Sequence, residues 1–217
     1  MTHCDPYPAY SRAETIADGV VHAIGLAAAT IMSVLLLIWA MGTGDGGRIV
    51  GVSVYAAALV FSLLASALYH MTPWGRTLPI FRRIDHAAIY FKIAGTYTPL
   101  MVLIGSAFAY GILTLVWVLA AAGAVAKLLF WARPGKWAPI LYLVLGWLSL
   151  AVIWKLVPIL PVAALVLILV GGLLYTLGVV FFSWKGLRYQ NAIWHLFVLA
   201  ASSCFFAAIA MGTLSVT

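Results

Sequence analysis

The stretch VVHAIGLAAATIMSVLLLIWAM, residues 20–41, decides the fold class of this chain. About 20 consecutive apolar residues in a helix are enough to cross the hydrocarbon core of a bilayer. Similar stretches recur, and the 217 residues are 65% hydrophobic and only 8% charged. Seven apolar runs can be delimited, at 20–41, 49–69, 84–104, 110–132, 137–157, 161–184 and 192–214. Because they are long and uninterrupted, they predict membrane-spanning helices rather than barrel strands.

The predicted fold is therefore all-α, a seven-transmembrane-helix bundle in a multi-pass membrane protein. The first apolar run begins at residue 20, so we divide the chain into a cytoplasmic N-terminal segment, 1–19, and a transmembrane domain, 20–217. The runs cover most of the chain, which leaves no separate soluble domain.

The distribution of basic residues predicts the orientation of this bundle. Eight of them fall on the side of the N-terminus: Arg12, Arg76, Arg82, Arg83, Arg133, Lys136, Lys185 and Arg188. Only Arg48 and Lys155 fall on the other side. The positive-inside rule places the N-terminus in the cytoplasm and the C-terminus outside. The net charge of +7 thus indicates topology and contact with membrane lipids, and we exclude a nucleic-acid-binding groove.

Two histidines and an aspartate lie at the cytoplasmic ends of three different runs: His70, Asp85 and His195. Ionisable groups in membrane segments are costly and usually line a functional cavity. Ser66 precedes His70 by four residues, and Asn191 precedes His195 by four, so each pair shares a helix face. Imidazole and carboxylate groups are ordinary zinc ligands, and catalytic sites keep three protein ligands and a water. The pattern predicts a metal site formed by His70, Asp85 and His195.

Other interpretations of the ionisable residues remain open. A single histidine at the membrane interface can extend to water or form an ordinary hydrogen bond. Glu14, Asp18 and His22 recur every four residues and form one helical stripe. This stripe fits a helix N-terminal turn, where acidic groups complement the dipole, or a wall of the cytoplasmic cavity with His22 pointing inward.

Lys92 lies inside the third run, seven residues after Asp85 and about 10 Å deeper on nearly the same face. Its ammonium could pair with Asp85 or bind an anionic head group, or it could extend harmlessly to the interface. The residues expected to support the metal ligands are Asn191, His22, Glu14, Asp18 and Lys92.

Four motifs give a more specific indication. They are AETIADGVVHAIG at 13–25, SALYHMTP at 66–73, RIDHAAIYFKIAGTYTP at 83–99 and NAIWHLFVLAASS at 191–203. Together they resemble the bacterial hemolysin III family, which is related to the progestin and adiponectin receptors and more distantly to alkaline ceramidases. The resemblance implies a seven-helix bundle in the bacterial inner membrane with a cytoplasm-facing metal site, often zinc. The family's Ser, first His, Asp and last His correspond to Ser66, His70, Asp85 and His195.

One position departs from the family pattern. Asn191 stands where the family usually has the first histidine of a His-x-x-x-His pair, and an amide oxygen is a poor zinc ligand. Lys92 adds positive charge on the face of Asp85. We therefore expect zinc binding that is weakened at position 191, and we expect Asn191→His to strengthen it.

These features support three hypotheses of function. The first is metal-dependent hydrolysis of a membrane lipid amide or ester, with Ser66 and Asp85 as catalytic residues and the metal on His70, Asp85 and His195. The second is a non-enzymatic membrane protein that affects membrane energetics, lipid homeostasis or cytolysis. The third, ligand sensing, rests on the analogy with eukaryotic receptors alone.

Overall fold

The computed structural model describes residues 10–73, 75–129, 138–184 and 186–215, and the regular structure in these ranges is entirely helical. The helices are α1 (Arg12–Gly42), α2 (Gly46–Met71), α3 (Leu78–Ile104), α4 (Ala107–Leu129), α5 (Ala138–Trp147), a 3₁₀ turn (Leu148–Ala151), α6 (Ile153–Leu156), α7 (Val162–Ser183) and α8 (Gln190–Ser215). Three basic residues used to predict the orientation, Arg133, Lys136 and Lys185, lie outside the described residues.

Local sequence determines where the first two helices begin. The Ser11 side chain accepts the N–H of Glu14, and the Glu14 carboxylate accepts the N–H of Ser11, which is a capping box. Asp45 caps α2 by accepting two backbone N–H groups of its first turn. Since α1 begins at Arg12, part of the predicted N-terminal segment 1–19 is helical and continuous with the first span.

Among the described residues, six helices are long and apolar enough to cross a membrane: α1, α2, α3, α4, α7 and α8. Their outward faces are apolar as well. On α1, for example, Ile24, Ile31 and Ile38 are 60%, 60% and 58% exposed at intervals of seven residues. An exposed apolar stripe on a helix with polar residues facing inward is the arrangement that a lipid environment requires.

The fifth apolar run, 137–157, differs from the single uninterrupted helix that the sequence predicts. It forms the ten-residue helix α5, a 3₁₀ turn and the four-residue helix α6. The break has a physical cause on a neighbouring helix, because the Tyr97 hydroxyl donates to the carbonyls of Leu145 and Gly146 at 3.0 and 2.8 Å. These carbonyls are drawn away from regular α-helical bonding, and the chain continues in the tighter 3₁₀ form.

This broken segment nevertheless connects the two ends of the bundle. At its start, the Tyr142 hydroxyl donates to the backbone oxygen of His86, near the beginning of α3. At its finish, the Trp154 ring lies 6.2 Å from the ring of Phe108, at the beginning of α4. We call the end at which α1, α3 and α8 begin the histidine end. The segment therefore runs from the histidine end to the opposite end.

Packing brings α1, α2 and α8 together at the histidine end. α2 packs against both α1 and α3, and α8 packs against both α7 and α1. Where α2 and α3 cross, a Cβ atom on Gly95 would lie only 2.5 Å from the Cβ of Ala58. Close contact of these two helices therefore requires glycine at position 95. This contact holds the polar ends of α2 and α3 in register.

Candidate metal site and cavity

Three histidine rings from three different helices meet at the histidine end of the bundle. His22 lies on α1, His70 at the end of α2 and His195 in the second turn of α8. The centroid of the His195 ring is 4.3 Å from that of His22 and 4.6 Å from that of His70. We call these three residues the histidine cluster. His22 and His195 are each 8% exposed, so the cluster lies inside the protein.

Asp18 organises this cluster from one turn before His22. Its Oδ1 accepts a hydrogen bond from Nδ1 of His195 at 2.6 Å, and its backbone oxygen accepts one from Nδ1 of His22 at 2.9 Å. Its other carboxylate oxygen is 3.6 Å from Nδ1 of His70. Because the acceptors are a carboxylate and a carbonyl oxygen, Nδ1 carries the proton in both His22 and His195, and Nε2 of each ring keeps its lone pair.

Ser66 faces these two free nitrogens. Its Oγ lies 3.3 Å from Nε2 of His22 and 3.4 Å from Nε2 of His195, and it also interacts with the Asp85 carboxylate. One hydroxyl hydrogen thus faces two imidazole nitrogens and a nearby carboxylate. A bound cation would satisfy the two acceptors that the hydroxyl cannot, and neutral imidazoles with Nδ1 fixed by an acidic partner are typical metal ligands.

The ligand atoms of Asp18, His22 and His195 all lie within 4.8 Å of one another, and within the described part of the chain these are the residues that form such a group. Only His195 belongs both to this group and to the ligand set predicted from sequence. The donor types suit zinc. Asp18 and His22, expected as supporting residues, are the residues that the structure places with His195.

The other predicted residues border this group. Asp85 is buried, and its carboxylate is 3.5 Å from Nδ1 of His86. It is linked to the histidine cluster through its interaction with Ser66. The amide nitrogen of Asn191 is 3.3 Å from Nδ1 of His70. Asn191 therefore contacts the edge of the histidine cluster rather than the Asp18 group.

Glu14 serves a different purpose from Asp18 and His22, although all three share one stripe. Its Oε1 accepts the backbone N–H of Tyr189 at 3.0 Å, just before α8 begins. Its other oxygen completes the capping box with Ser11. Glu14 thus fixes the start of α1 to the start of α8, and this holds Asp18 opposite His195.

A large cavity opens beside the histidine cluster. Its volume is about 1480 Å³, and it is bordered at the histidine end by Ser66 and Asp85 and near the opposite end by Leu156. Ligand pockets usually measure about 300–1,000 Å³. Tyr10, which precedes α1, also borders the cavity, and burial raises the pKa of its phenol. The cavity offers apolar space next to a candidate metal site.

One signal in the sequence pointed to the Asp18 group without identifying it. Asp18 and His22 are four residues apart and therefore share a face of α1. The spacing is equally compatible with a helix N-terminal turn, and only the rotation of α1 against α8 decides between the two interpretations. That rotation depends on contacts such as the one between Glu14 and Tyr189.

Comparison with known proteins agrees with this architecture. A family model described as Haemolysin-III related matches residues 10–206. Hemolysin-3 of Bacillus cereus is 35% identical over 194 residues, which cover 89% of each chain. The Hemolysin-3 homolog of Bacillus subtilis (strain 168) is 36% identical over 194 residues, which cover 89% of this chain and 91% of the relative.

A more distant similarity extends to animals. The Monocyte to macrophage differentiation factor of Homo sapiens is 30% identical over 164 residues, which cover 72% of this chain and 67% of that protein. The family match spans the helices that carry Asp18, His22, Ser66, Asp85 and His195. This chain is a multi-pass membrane protein and belongs to the Haemolysin-III related family.

Proposed function

We propose that this protein is a zinc-dependent hydrolase of a membrane lipid amide or ester. The observation that carries the proposal is the pair of free Nε2 lone pairs, on His22 and His195, beside a large apolar cavity. His22 and His195 would hold the ion through Nε2, and Asp18, which accepts the Nδ1 protons of both rings, would orient them. The chemistry that zinc supplies when bound is the activation of water and the polarisation of a carbonyl.

The residues around this group have the chemistry that hydrolysis needs. The Ser66 hydroxyl is positioned to orient water or to donate to the carbonyl oxygen as negative charge develops. The Asp85 carboxylate, which interacts with Ser66, is a candidate to accept the proton of the water. Hydrolysis then breaks the C–N or C–O bond, and the leaving amine or alcohol takes up a proton. The apolar cavity would hold the acyl chain.

The proposal includes a membrane topology. The fifth segment reaches from His86 to Phe108 through its own residues Tyr142 and Trp154, which supports a seventh crossing in addition to the six long helices. With the N-terminus in the cytoplasm, as the basic residues predict, the histidine end faces the cytoplasm and the C-terminus lies outside. We place the protein in the bacterial inner membrane, with lipid substrate entering from the cytoplasmic leaflet.

Metal analysis of the purified protein tests the first step. We expect about one zinc per chain, lost in His22→Ala and in His195→Ala and retained in His86→Ala. His86 is a matched control because its Nδ1 faces the backbone oxygen of Arg82 at 2.8 Å. Zinc that survives His22→Ala and disappears in both His70→Ala and Asp85→Ala would instead favour the ligand set predicted from sequence.

Turnover requires a separate assay. Purified protein in lipid nanodiscs should release fatty acid from amide-linked or ester-linked lipids, and Ser66→Ala should slow release without removing zinc. No release by zinc-loaded protein across both lipid classes would contradict the hydrolase. Leakage of dye from liposomes that is unchanged in His22→Ala and His195→Ala would favour a non-enzymatic role in cytolysis.

A further inference from the structure

A second polar group lies deeper in the same cavity. Lys92 is seven residues after Asp85 on α3, and Ser202 is seven residues after His195 on α8. Both steps correspond to about 10 Å along a helix. Between them, Tyr175 of α7 hydrogen-bonds Ser202 at 2.8 Å, and its ring lies 4.9 Å from the Lys92 ammonium. We call Lys92, Tyr175 and Ser202 the lysine tier.

The positive charge of Lys92 acts on the Asp85 carboxylate, but in the described part of the chain it forms no close ion pair. Its side chain is buried, with the whole residue 7% exposed, and it borders the cavity. Among the ion pairs formed by the described residues, none within 4.0 Å involves Lys92. The ring of Tyr175 attracts the ammonium, but such a contact does not neutralise its charge. Buried ions in membrane proteins are otherwise paired.

The hydroxyl pair adds a directed donor. When Tyr175 and Ser202 hydrogen-bond each other, one hydroxyl donates and the other keeps its own hydrogen for a third group. Lys92 contributes up to three N–H donors. The lysine tier therefore presents one full positive charge and a spare O–H donor, which suits one anionic oxygen group.

The surroundings of the lysine tier are apolar. The cavity continues toward the opposite end between side chains of α3, α6 and α7, including Leu100, Leu156 and Ile168. A ligand with its anion on Lys92 would find hydrocarbon contacts for a long alkyl chain there. An inorganic anion would lack these contacts.

We propose that the lysine tier is a binding site for a single-chain amphiphile with a carboxylate head, such as a long-chain fatty acid anion. The carboxylate contacts the Lys92 ammonium and the free hydroxyl of the Tyr175–Ser202 pair, and the chain occupies the deep part of the cavity. Binding here requires neither a metal nor turnover, so it stands independently of the proposed hydrolysis.

The test compares two ligands of equal chain length. Purified protein is placed in phosphatidylcholine nanodiscs with a chelator present, and binding of radiolabelled hexadecanoate and hexadecanol is measured against their mole fraction in the lipid. We expect hexadecanoate to bind at least about tenfold more tightly, a difference of about 1.4 kcal/mol, because hydrogen bonds to a charged group are stronger than those to a neutral one. Equal affinity for the two ligands would overturn the proposal.

Substitutions locate the preference. Lys92→Met, which keeps the length and apolar stem of the side chain, should abolish the preference for hexadecanoate and leave hexadecanol binding unchanged. Lys155→Met is the matched control, since Lys155 also lies over an aromatic ring, that of Trp154, at 4.2 Å. If Lys92→Met lowers the melting temperature, Lys92→Arg and Tyr175→Phe test the proposal instead. We expect Lys92→Arg to keep the preference for hexadecanoate and Tyr175→Phe to weaken it. A preference that persists in Lys92→Met and Tyr175→Phe would reject the assignment.

Discussion

The histidine cluster and the broken fifth segment, residues 138–156, lie on either side of the same cavity and are stabilised differently. Around the cluster, hydrogen bonds join helices that are far apart in sequence, as between Asp18 and His195. In the fifth segment, the Tyr97 hydroxyl draws two carbonyls away from the helix and leaves a short, irregular element. The first region is built to hold ionisable groups at fixed distances. The second region is an irregular helix that borders the cavity.

The comparison predicts that function depends mainly on the polar side of the cavity. It also predicts that the shape of the cavity depends mainly on the irregular side. Substitutions at the cluster should change metal binding without opening the bundle, because α2 also packs against α3 and α8 also packs against α7. Substitutions in the fifth segment should change stability and access to the cavity and leave metal binding intact.

The largest expected effect is that of His22→Ala on zinc affinity. Removing a ligand should weaken zinc by more than the roughly 10–100-fold that outer hydrogen-bonding partners contribute. Competition with a fluorescent zinc chelator measures the change, and His86→Ala provides the control. Unchanged affinity in His22→Ala would mean that His22 only supports the site, as one interpretation of the sequence had it.

Asp18→Asn should have the second-largest effect on zinc affinity. The amide keeps the size of the side chain but replaces the charged acceptor of the His195 Nδ1 proton, so zinc affinity should fall by about 10–100-fold. The same chelator competition measures it. Asp45→Asn, at the start of α2 and part of no such group, should leave zinc affinity unchanged. A loss shared by both variants would indicate a general effect of charge.

On the other side of the cavity, Tyr97→Phe tests the origin of the break. Two carbonyl groups would lose a hydroxyl donor, and we expect a loss of about 1–3 kcal/mol in the free energy of unfolding. Thermal unfolding in detergent and hydrogen exchange at residues 145–151 measure it. Tyr110→Phe is the control, since Tyr110 is 46% exposed. If Tyr97→Phe were as stable as the control, the break would have to arise within the segment itself.

Much of this arrangement could be predicted from sequence. Length and hydropathy predicted each long helix, because a bilayer requires about 20 apolar residues per crossing. Spacing of four residues correctly grouped Asp18 with His22 and Ser66 with His70, since these patterns depend only on helix geometry. Membrane embedding, the family and a cluster of ionisable groups at one end of the bundle all followed from such local features.

Features that depend on contacts between helices could not be predicted in the same way. The break after Gly146 coincides with hydrogen bonds from the Tyr97 hydroxyl of α3, and no pattern within 137–157 predicts it. The placement of Asp18 and His22 within ligand distance of His195 depends on how α1 is rotated against α8. Lys92 meets Tyr175 only because α3 and α7 both border the cavity.

The smallest expected effect, and the sharpest discrimination between the two ligand sets, comes from Asn191→His. If zinc were bound by His70, Asp85 and His195, a new imidazole beside His70 should strengthen zinc binding by about 1–3 kcal/mol. This is the scale of the roughly 10–100-fold effects seen when hydrogen-bonding partners of metal ligands are changed. The Asn191 amide lies 3.3 Å from Nδ1 of His70 and outside the Asp18 group. We therefore expect zinc affinity to change by less than about tenfold, or 1.4 kcal/mol. Chelator competition on the wild type, Asn191→His and Asn191→Gln separates a gained ligand from a change in packing. A gain well above tenfold that is absent in Asn191→Gln would move the metal toward His70 and replace the Asp18 group as the site.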